Sequence, residues 1–512
     1  MKYTVISFVI LLIHLIIGLF IYNDYSIGYD DEAQRLIGRI NYESLTKNSF
    51  ELATFSDKYY GPAFEMILYG MEKFIGPTSG KEIYALRHLV TFIHFWISLI
   101  VFWVILRYLF KSSFYSALGT VLLILSPRFF AESFYNTKDL PLMSGFIFSF
   151  AAYIWAVRKT NTLPVVIFAF FSAYTTAIRP FGLLFPLLFL GFIGAQMVRN
   201  PNKVFVLFGM LIFYITSFSL LLGGFWPILM QQPEQFINML RESVKTFDQP
   251  IYYFGQYVSS ASKPWHYLPV FIFITSPLLI MILFIGGLPY AIYQMFCKEN
   301  SVINKTIHLS LLLWLCIPIS IVYILNPRIY DGWRHLYFIY PSIIIFSLYG
   351  LQCIMRILST IPEKWSVVMR YITVGVLVLQ VFALIWFIIR SHPYQNIYFN
   401  ELTKNLETAA KLFDFDYWGM SETEAIRYIL NSDSKPAITI HFTDTPGLIH
   451  ALSSNESTRV IVSNQEDHPD YIITQYRWDN TAHKFSGYTR IHAITRDHAI
   501  LSAVYKSNNI NE

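Results

Sequence analysis

Eleven apolar runs, each bounded by charge, constrain this chain more than any other feature. They fall near 4–22, 86–107, 113–127, 140–157, 163–178, 180–198, 204–229, 268–296, 306–326, 335–355 and 367–389. A bilayer core about 30 Å thick is crossed by roughly 20 apolar residues in a helix. In lipid such a segment must satisfy its own backbone hydrogen bonds, so helices are expected rather than strands. Runs 113–127 and 163–178 are short for the task. Composition agrees: 54% of residues are hydrophobic and 14% charged, against roughly 25% charge in a soluble chain. The expected fold is mainly α, a polytopic transmembrane helical bundle of about eleven spans. The run 4–22 exceeds a signal-peptide core and no small-residue cleavage site follows before Asp30, so it is expected to remain as a helix.

Lysines and arginines orient the bundle, because cytoplasmic connections carry the excess. With the N-terminus cytoplasmic, Lys2, Arg107, Lys111, Arg158, Lys159, Arg199, Lys203, Lys298, Lys305, Arg356, Lys364 and Arg370 share the inner side. The outer side then carries 30–82, 128–139, 231–265 and 326–334, and an odd number of spans places the C-terminus there too. After Arg390 the composition changes. Residues 391–512 hold 15 Asp and Glu against 10 Lys and Arg, leaving 18 acids and 28 bases in 1–390. Ser421-Glu422-Thr423-Glu424 reads as a capping box opening a helix to about Leu430. Stretches 437–442, 459–462, 471–475 and 499–505 read as strands. The expected organisation is a transmembrane domain over 1–390, with a first outer loop at 23–85, and a small extracytoplasmic α/β domain over 391–512. Cys297, Cys316 and Cys353 have neither zinc nor disulfide spacing. The net charge of +5 is a topology signal and not a nucleic-acid footprint.

The outer segments concentrate ionisable groups. Asp30-Asp31-Glu32 stands in the first. The second runs Ser126-Pro127-Arg128-Phe129-Phe130 to Asn136-Thr137-Lys138-Asp139-Leu140-Pro141, with Glu132 between. Ile178-Arg179-Pro180 interrupts the fifth and sixth runs, and Asp331-Gly332-Trp333-Arg334-His335 follows Arg328. Outer arginines oppose the topology bias and call for a reason. Guanidinium groups bind phosphate bidentately, which fits a lipid phosphate; head-group snorkelling is the plainer alternative for any single one.

In their order, these stretches resemble the GT-C superfamily of lipid-sugar-dependent glycosyltransferases. The bacterial branch similar to protein O-mannosyltransferases and lipid A aminoarabinose transferases is nearest. His392-Pro393-Tyr394-Gln395, Tyr398-Phe399-Asn400 and Asp416-Tyr417-Trp418-Gly419 look similar to the segment after the last span in some bacterial members. The likeness covers about residues 1–420. It implies a hexosyl or pentosyl transferase of a bacterial inner or plasma membrane, using a polyprenyl-phosphate-linked sugar and a glycan, lipid or protein acceptor. It places the catalytic carboxylate at Asp31, with Glu32 beside it and Asp30 one position away, and a second functional acid at Asp139, with Glu132 a weaker candidate. The outer loops are too short for the extra lumenal domain of eukaryotic protein O-mannosyltransferases, which puts a protein acceptor in doubt.

On that reading Asp31 is a general base on the acceptor, and one-step attack inverts the anomeric centre. Asp30, Arg128, Lys138, Arg179, Arg328, Arg334 and His335 are the candidate substrate-binding residues. The amphipathic stretch Phe64–Phe74 is expected in the membrane interface, shaping lipid entry. Clustered carboxylates without a matching His or Cys set fit Mg²⁺ or Mn²⁺ weakly, so no metal ligand is assigned. The main rival, a lipid or solute transporter or flippase, calls for charges at span midpoints and repeated halves. Here charges gather at outer ends, and no internal repeat is evident.

Overall fold

The computed structural model describes residues 2–47, 51–159, 161–243, 248–297, 301–443, 446–477 and 485–508. Lys298, one of the inner-side bases, lies outside them. All eleven apolar runs are helical. Fewer than the eleven expected spans are full-length: among the described residues nine helices are long and apolar enough to cross a membrane, and ten if one bent pair is a single span. That pair, Ser113–Ile124 and Pro127–Tyr135, is bent by 66°. The cause is Pro127, which lacks an N–H and holds Ser126 extended at φ −74°, ψ 108°. The run 163–178 forms only Thr162–Thr176, about 22 Å of helix. The run 268–296 divides into Tyr267–Thr275 and Leu278–Cys297, with Ser276 extended before Pro277.

Burial sorts the spans. Over an apolar stretch of 18 residues in each, Asp139–Lys159 is 89% buried and Arg334–Leu358 78%, whereas Tyr3–Ile21 and Glu363–Arg390 are each 22% and Pro201–Phe225 17% buried. The first two lie at the centre of the bundle and the last three on its periphery. Asp139 and Arg334 therefore begin the two most enclosed helices, where a charge persists only with a partner.

Two amphipathic helices between the first two spans, Asp31–Thr46 and Ala63–Ile75, pack against each other. A Cβ at Gly38 would come within 2.5 Å of the Glu65 carbonyl oxygen, so only glycine permits this crossing. Ile67, Phe74 and Ile75 are exposed on the outer face of Ala63–Ile75, while Glu65 and Glu72 are buried on the inner one.

The tail contains a five-stranded mixed sheet. Hairpin strands β1 (Pro250–Tyr253) and β2 (Gln256–Ser259) precede it in the chain. The sheet strands are β3 (Ile438–Phe442), β4 (Val460–Val462), β5 (Tyr471–Gln475), β6 (Tyr488–Arg496) and β7 (Ala499–Ser507), in the order β4-β3-β5-β7-β6. β3 runs parallel to β4 and β5, and β7 is antiparallel to β5 and β6. Helix Glu422–Ser432 packs on the sheet. The capping box expected at its start does not form: the Ser421 hydroxyl donates to Asp416 Oδ2 at 3.1 Å instead. Strand β6 was not expected, because a charged edge strand such as Tyr-Thr-Arg-Ile-His lacks an apolar alternation.

Residues 391–420 knit the two portions together. Arg128 Nε donates to the Tyr398 carbonyl at 2.9 Å, and Asn400 N–H to the Ile274 carbonyl at 2.7 Å. His450 reaches Glu32 at 2.8 Å, and Arg477 pairs with Asp331. The sheet portion thus lies on the same side of the bundle as the segment between the first two spans.

Candidate active site

Four chain segments converge at this end. The first span ends at Ile21, and Asp31 opens the next helix, where a carboxylate complements the helix dipole. Asp31 is 3% exposed, and its Oδ2 accepts the Gly28 N–H at 2.7 Å. Burial raises its pKa to about 7; the Gly28 hydrogen bond and Arg87 oppose the rise, and Glu65 and Asp30 add to it. Glu32, one residue on, faces elsewhere, half exposed and paired with His450. Successive helical residues differ by 100° in direction, so only one of the two can point inward.

The second segment is set by Asn136. Its Oδ1 accepts from the backbone N–H groups of Asp139 (2.8 Å) and Lys138 (3.2 Å), and its amide donates to Asp139 Oδ2 and Glu132 Oε2. That side-chain cap starts the enclosed helix and aims Lys138 and Asp139. Lys138 Nζ is buried with no hydrogen-bond partner and lies 4.2 Å from the Tyr60 ring centroid. Burial, with Arg179 nearby, pushes its pKa down to about 7, against the pull of Glu65, Asp139 and Asp30.

Arg179 comes from the third segment. Pro180 forces it extended, at φ −151°, ψ 145°, and its guanidinium meets Asp139 Oδ1 at 2.7 Å. A Cβ at Gly61 would lie 2.3 Å from the Ile178 carbonyl oxygen, so glycine lets Tyr60 close over this corner. The fourth segment supplies Arg334, which meets Asp331 at 2.9 Å, Asp30 at 3.2 Å and Asp139 at 3.5 Å. It also stacks 4.9 Å from the Trp418 ring and 5.4 Å from that of Tyr330. Asp331 sits at φ +58°, a costly conformation for a non-glycine residue, and is gripped by both Arg334 and Arg477.

The structure therefore joins Asp30, Asp31, Lys138, Asp139, Arg179 and Arg334 in one electrostatic cluster. Asp30 and Glu65 act on both Asp31 and Lys138. His335 lies within electrostatic reach of Lys138, Arg179 and Arg334 together. Two other candidates lie apart. Arg128 is buried, bonded to the Tyr398 carbonyl and 4.8 Å from the Phe399 ring. Arg328 acts on Asp248. Glu132 accepts hydrogen bonds from the Tyr337 and Tyr417 hydroxyls and from Asn136.

Sequence reasoning missed a supporting ion group, in which Arg87 pairs with Glu65 and with Glu72 (3.1 Å), and Arg35 with Glu72 (2.9 Å). The available signal was Glu65 and Glu72 seven residues apart on one helix face with Phe64, Leu68 and Tyr69. Among the described residues no group of three or more His, Cys, Asp or Glu is arranged to hold a metal ion. The acids Asp30, Asp139 and Asp331 are each engaged by a guanidinium.

No family model and no curated protein matches the chain. Solved structures do. ArnT from Cupriavidus metallidurans bound to undecaprenyl phosphate aligns over 98% of both chains at 11% identity, with a TM-score of 0.51. Its apo state scores 0.49 at 12% identity over the same shares. The Archaeoglobus fulgidus oligosaccharyltransferase in the apo form scores 0.49 at 11% identity, covering 88% of this chain and 64% of that one. At such identities a likeness speaks for architecture alone, and only the first score reaches one half. What it establishes is that this chain shares the overall fold of that ArnT structure; here it is a polytopic helical bundle followed by a smaller α/β portion.

Proposed function

We propose that the chain is a membrane glycosyltransferase moving a sugar from a polyprenyl-phosphate donor to an acceptor hydroxyl or amine on the extracytoplasmic face. The observation that carries this reading is the junction of Asp31 with Lys138, Arg179 and Arg334 through Asp30 and Glu65. A lone base and a concentrated positive charge side by side suit displacement of a phosphate leaving group. The undecaprenyl phosphate bound to ArnT is the model for the lipid half of the donor.

In the proposed step Asp31 takes the acceptor proton as the acceptor oxygen or nitrogen bonds to the anomeric carbon. The carbon–oxygen bond to phosphate breaks, and its electron pair stays on the departing polyprenyl phosphate. Attack from the opposite face inverts the centre. Lys138, Arg179 and Arg334 stabilise the growing phosphate charge, an effect concentrated where water is scarce. Holding both reactants in one site adds positioning, and a base in place is worth about 10²–10⁴-fold. Residues 391–420 belong to this working unit as well, since Trp418 stacks on Arg334. The transporter reading is less supported, because the charged cluster gathers at one end of the bundle. A bacterial membrane, on the sequence resemblance, and a cytoplasmic N-terminus, on the lysine and arginine bias, belong to the same proposal.

Mass spectrometry of envelope glycans tests it, comparing cells carrying the wild-type chain with cells carrying Asp31→Asn at equal membrane abundance. Loss of one sugar modification in the variant is expected. Unchanged glycans would remove Asp31 from the chemistry.

A further inference from the structure

A cavity of about 390 Å³ opens beside the cluster, on the far side of Tyr84. That volume falls in the range of small-molecule sites, about 300–1,000 Å³. Its walls come from the segment just after the first span, from the start of helix Gly80–Phe110, and from residues 392–394 with helix Glu422–Ser432. Asn23 and Asp24 line it two and three residues beyond the end of the first span, which sets the cavity at head-group level.

Its charges are unevenly committed. Asp24 is paired with His392 at 2.9 Å, and Glu424 accepts from the Tyr394 hydroxyl and faces Arg496 at 3.7 Å. Lys81 and Arg427, both exposed on the rim, have no hydrogen-bond or ion-pair partner among the described residues; each acts at a distance on Glu456, itself held by Ser453. Two uncommitted cations over a polar wall favour an anion. The floor leads to the chemistry. Ile27 lines the cavity, and the next residue, Gly28, holds Asp31 Oδ2. Tyr84 lines it too and lies within electrostatic reach of Asp31.

We propose that this cavity is the acceptor entrance. It takes a hydroxyl-bearing ligand with one anionic group, the anion between Lys81 and Arg427 and the reacting hydroxyl directed past Tyr84 to Asp31. Donor phosphate and acceptor then approach the base from separate sides. The role as acceptor entrance rests on the transferase reading above; the existence of a ligand site does not.

The test uses the full chain in nanodiscs with two probes of this chemistry. Glucose 1-phosphate represents a soluble source, and phosphatidylglycerol, compared with phosphatidylcholine, a membrane-tethered one. Native mass spectrometry and equilibrium dialysis read binding, and undecaprenyl phosphate is measured in parallel. Expected is that Lys81→Glu and Arg427→Glu each weaken binding of one or both probes at least tenfold and leave undecaprenyl phosphate binding unchanged. Lys81→Gln and Arg427→Gln, milder changes at exposed positions, should show smaller losses in the same direction. Binding of one probe only supports the site and assigns its source. Binding of neither, or equal binding by wild type and both reversals, overturns the inference. Probe binding that survives while undecaprenyl phosphate fails to bind would remove the transferase reading and leave the anion site standing.

Discussion

Replacing Lys138 with methionine isolates the cluster's contribution to holding a lipid phosphate. Arg334 already faces three carboxylates, and Arg179 is taken by Asp139. Among the described residues Lys138 Nζ is buried with no hydrogen-bond partner, while of the Arg179 guanidinium only Nε is both buried and unpartnered, so an arriving phosphate gains most from the lysine. A hydrogen bond to a charged group contributes about 1.5–3 kcal/mol, which is roughly 10- to 150-fold in Kd. The pH dependence is a second signature. Burial holds the free amine near pKa 7, so it is charged below that pH and neutral above. Phosphate favours the charged form, so wild-type affinity should fall as pH rises above 7. Lys138→Met should lack that component and keep only the ligand's own ionisation. Binding of undecaprenyl phosphate to the full chain in nanodiscs, from pH 6 to 9, reads both effects. A Kd within threefold of wild type, or the same pH dependence in both proteins, would refute the reasoning.

Asp31→Asn should lower sugar transfer by about 10²–10⁴-fold. It should also raise the melting temperature above pH 7, with little change near pH 4. The carboxyl's raised pKa means that the cost of ionising it in the fold grows from pH 4 to 7 and is full above, bounded on the order of 4 kcal/mol. The profile of kcat/KM should be a narrow bell near pH 7, since the free enzyme needs Asp31 unprotonated and Lys138 protonated, both near 7. The profile of kcat should keep only the acid limb, because bound phosphate holds the lysine charged; an alkaline limb in kcat as steep as in kcat/KM would contradict this. Arg477→Gln should raise the donor KM more than it lowers kcat, because Arg477 steadies Asp331 and through it Arg334; equal change in both would make the residue merely structural. Arg87→Leu should cost about 3–5 kcal/mol by stranding the buried Glu65 and Glu72, read as lost thermal stability or yield.

The bundle was legible because lipid demands long apolar helices, and all eleven runs appear as helices. Lys138, Asp139, Arg179 and Arg334 were legible for the same reason: charges at the ends of apolar runs stand out. Partner choice was not. Arg128, Arg328 and Arg334 look alike in sequence, yet of the three only Arg334 pairs with Asp30 and Asp139, while Arg128 bonds a carbonyl of the segment after the last span and Arg328 acts on Asp248. Glu65 and Glu72 escaped notice because charge in an amphipathic stretch reads as solvated until a second helix covers it, and Arg87, at the start of the run 86–107, has no visible reason without them. The breaks at Ser126-Pro127 and Ser276-Pro277 were written in the chain, but hydropathy averages across them. Arg477 could not be foreseen, since its partner lies 146 residues away.

A cryo-EM map of the full chain with undecaprenyl phosphate in a nanodisc tests the shared phosphate-and-base site most directly. The account predicts phosphate density within hydrogen-bond reach of Lys138 Nζ and of the Arg179 or Arg334 guanidinium, with the Asp31 carboxyl facing the same space. Phosphate seated instead at Arg328 or Arg128, with Lys138 untouched, would contradict it.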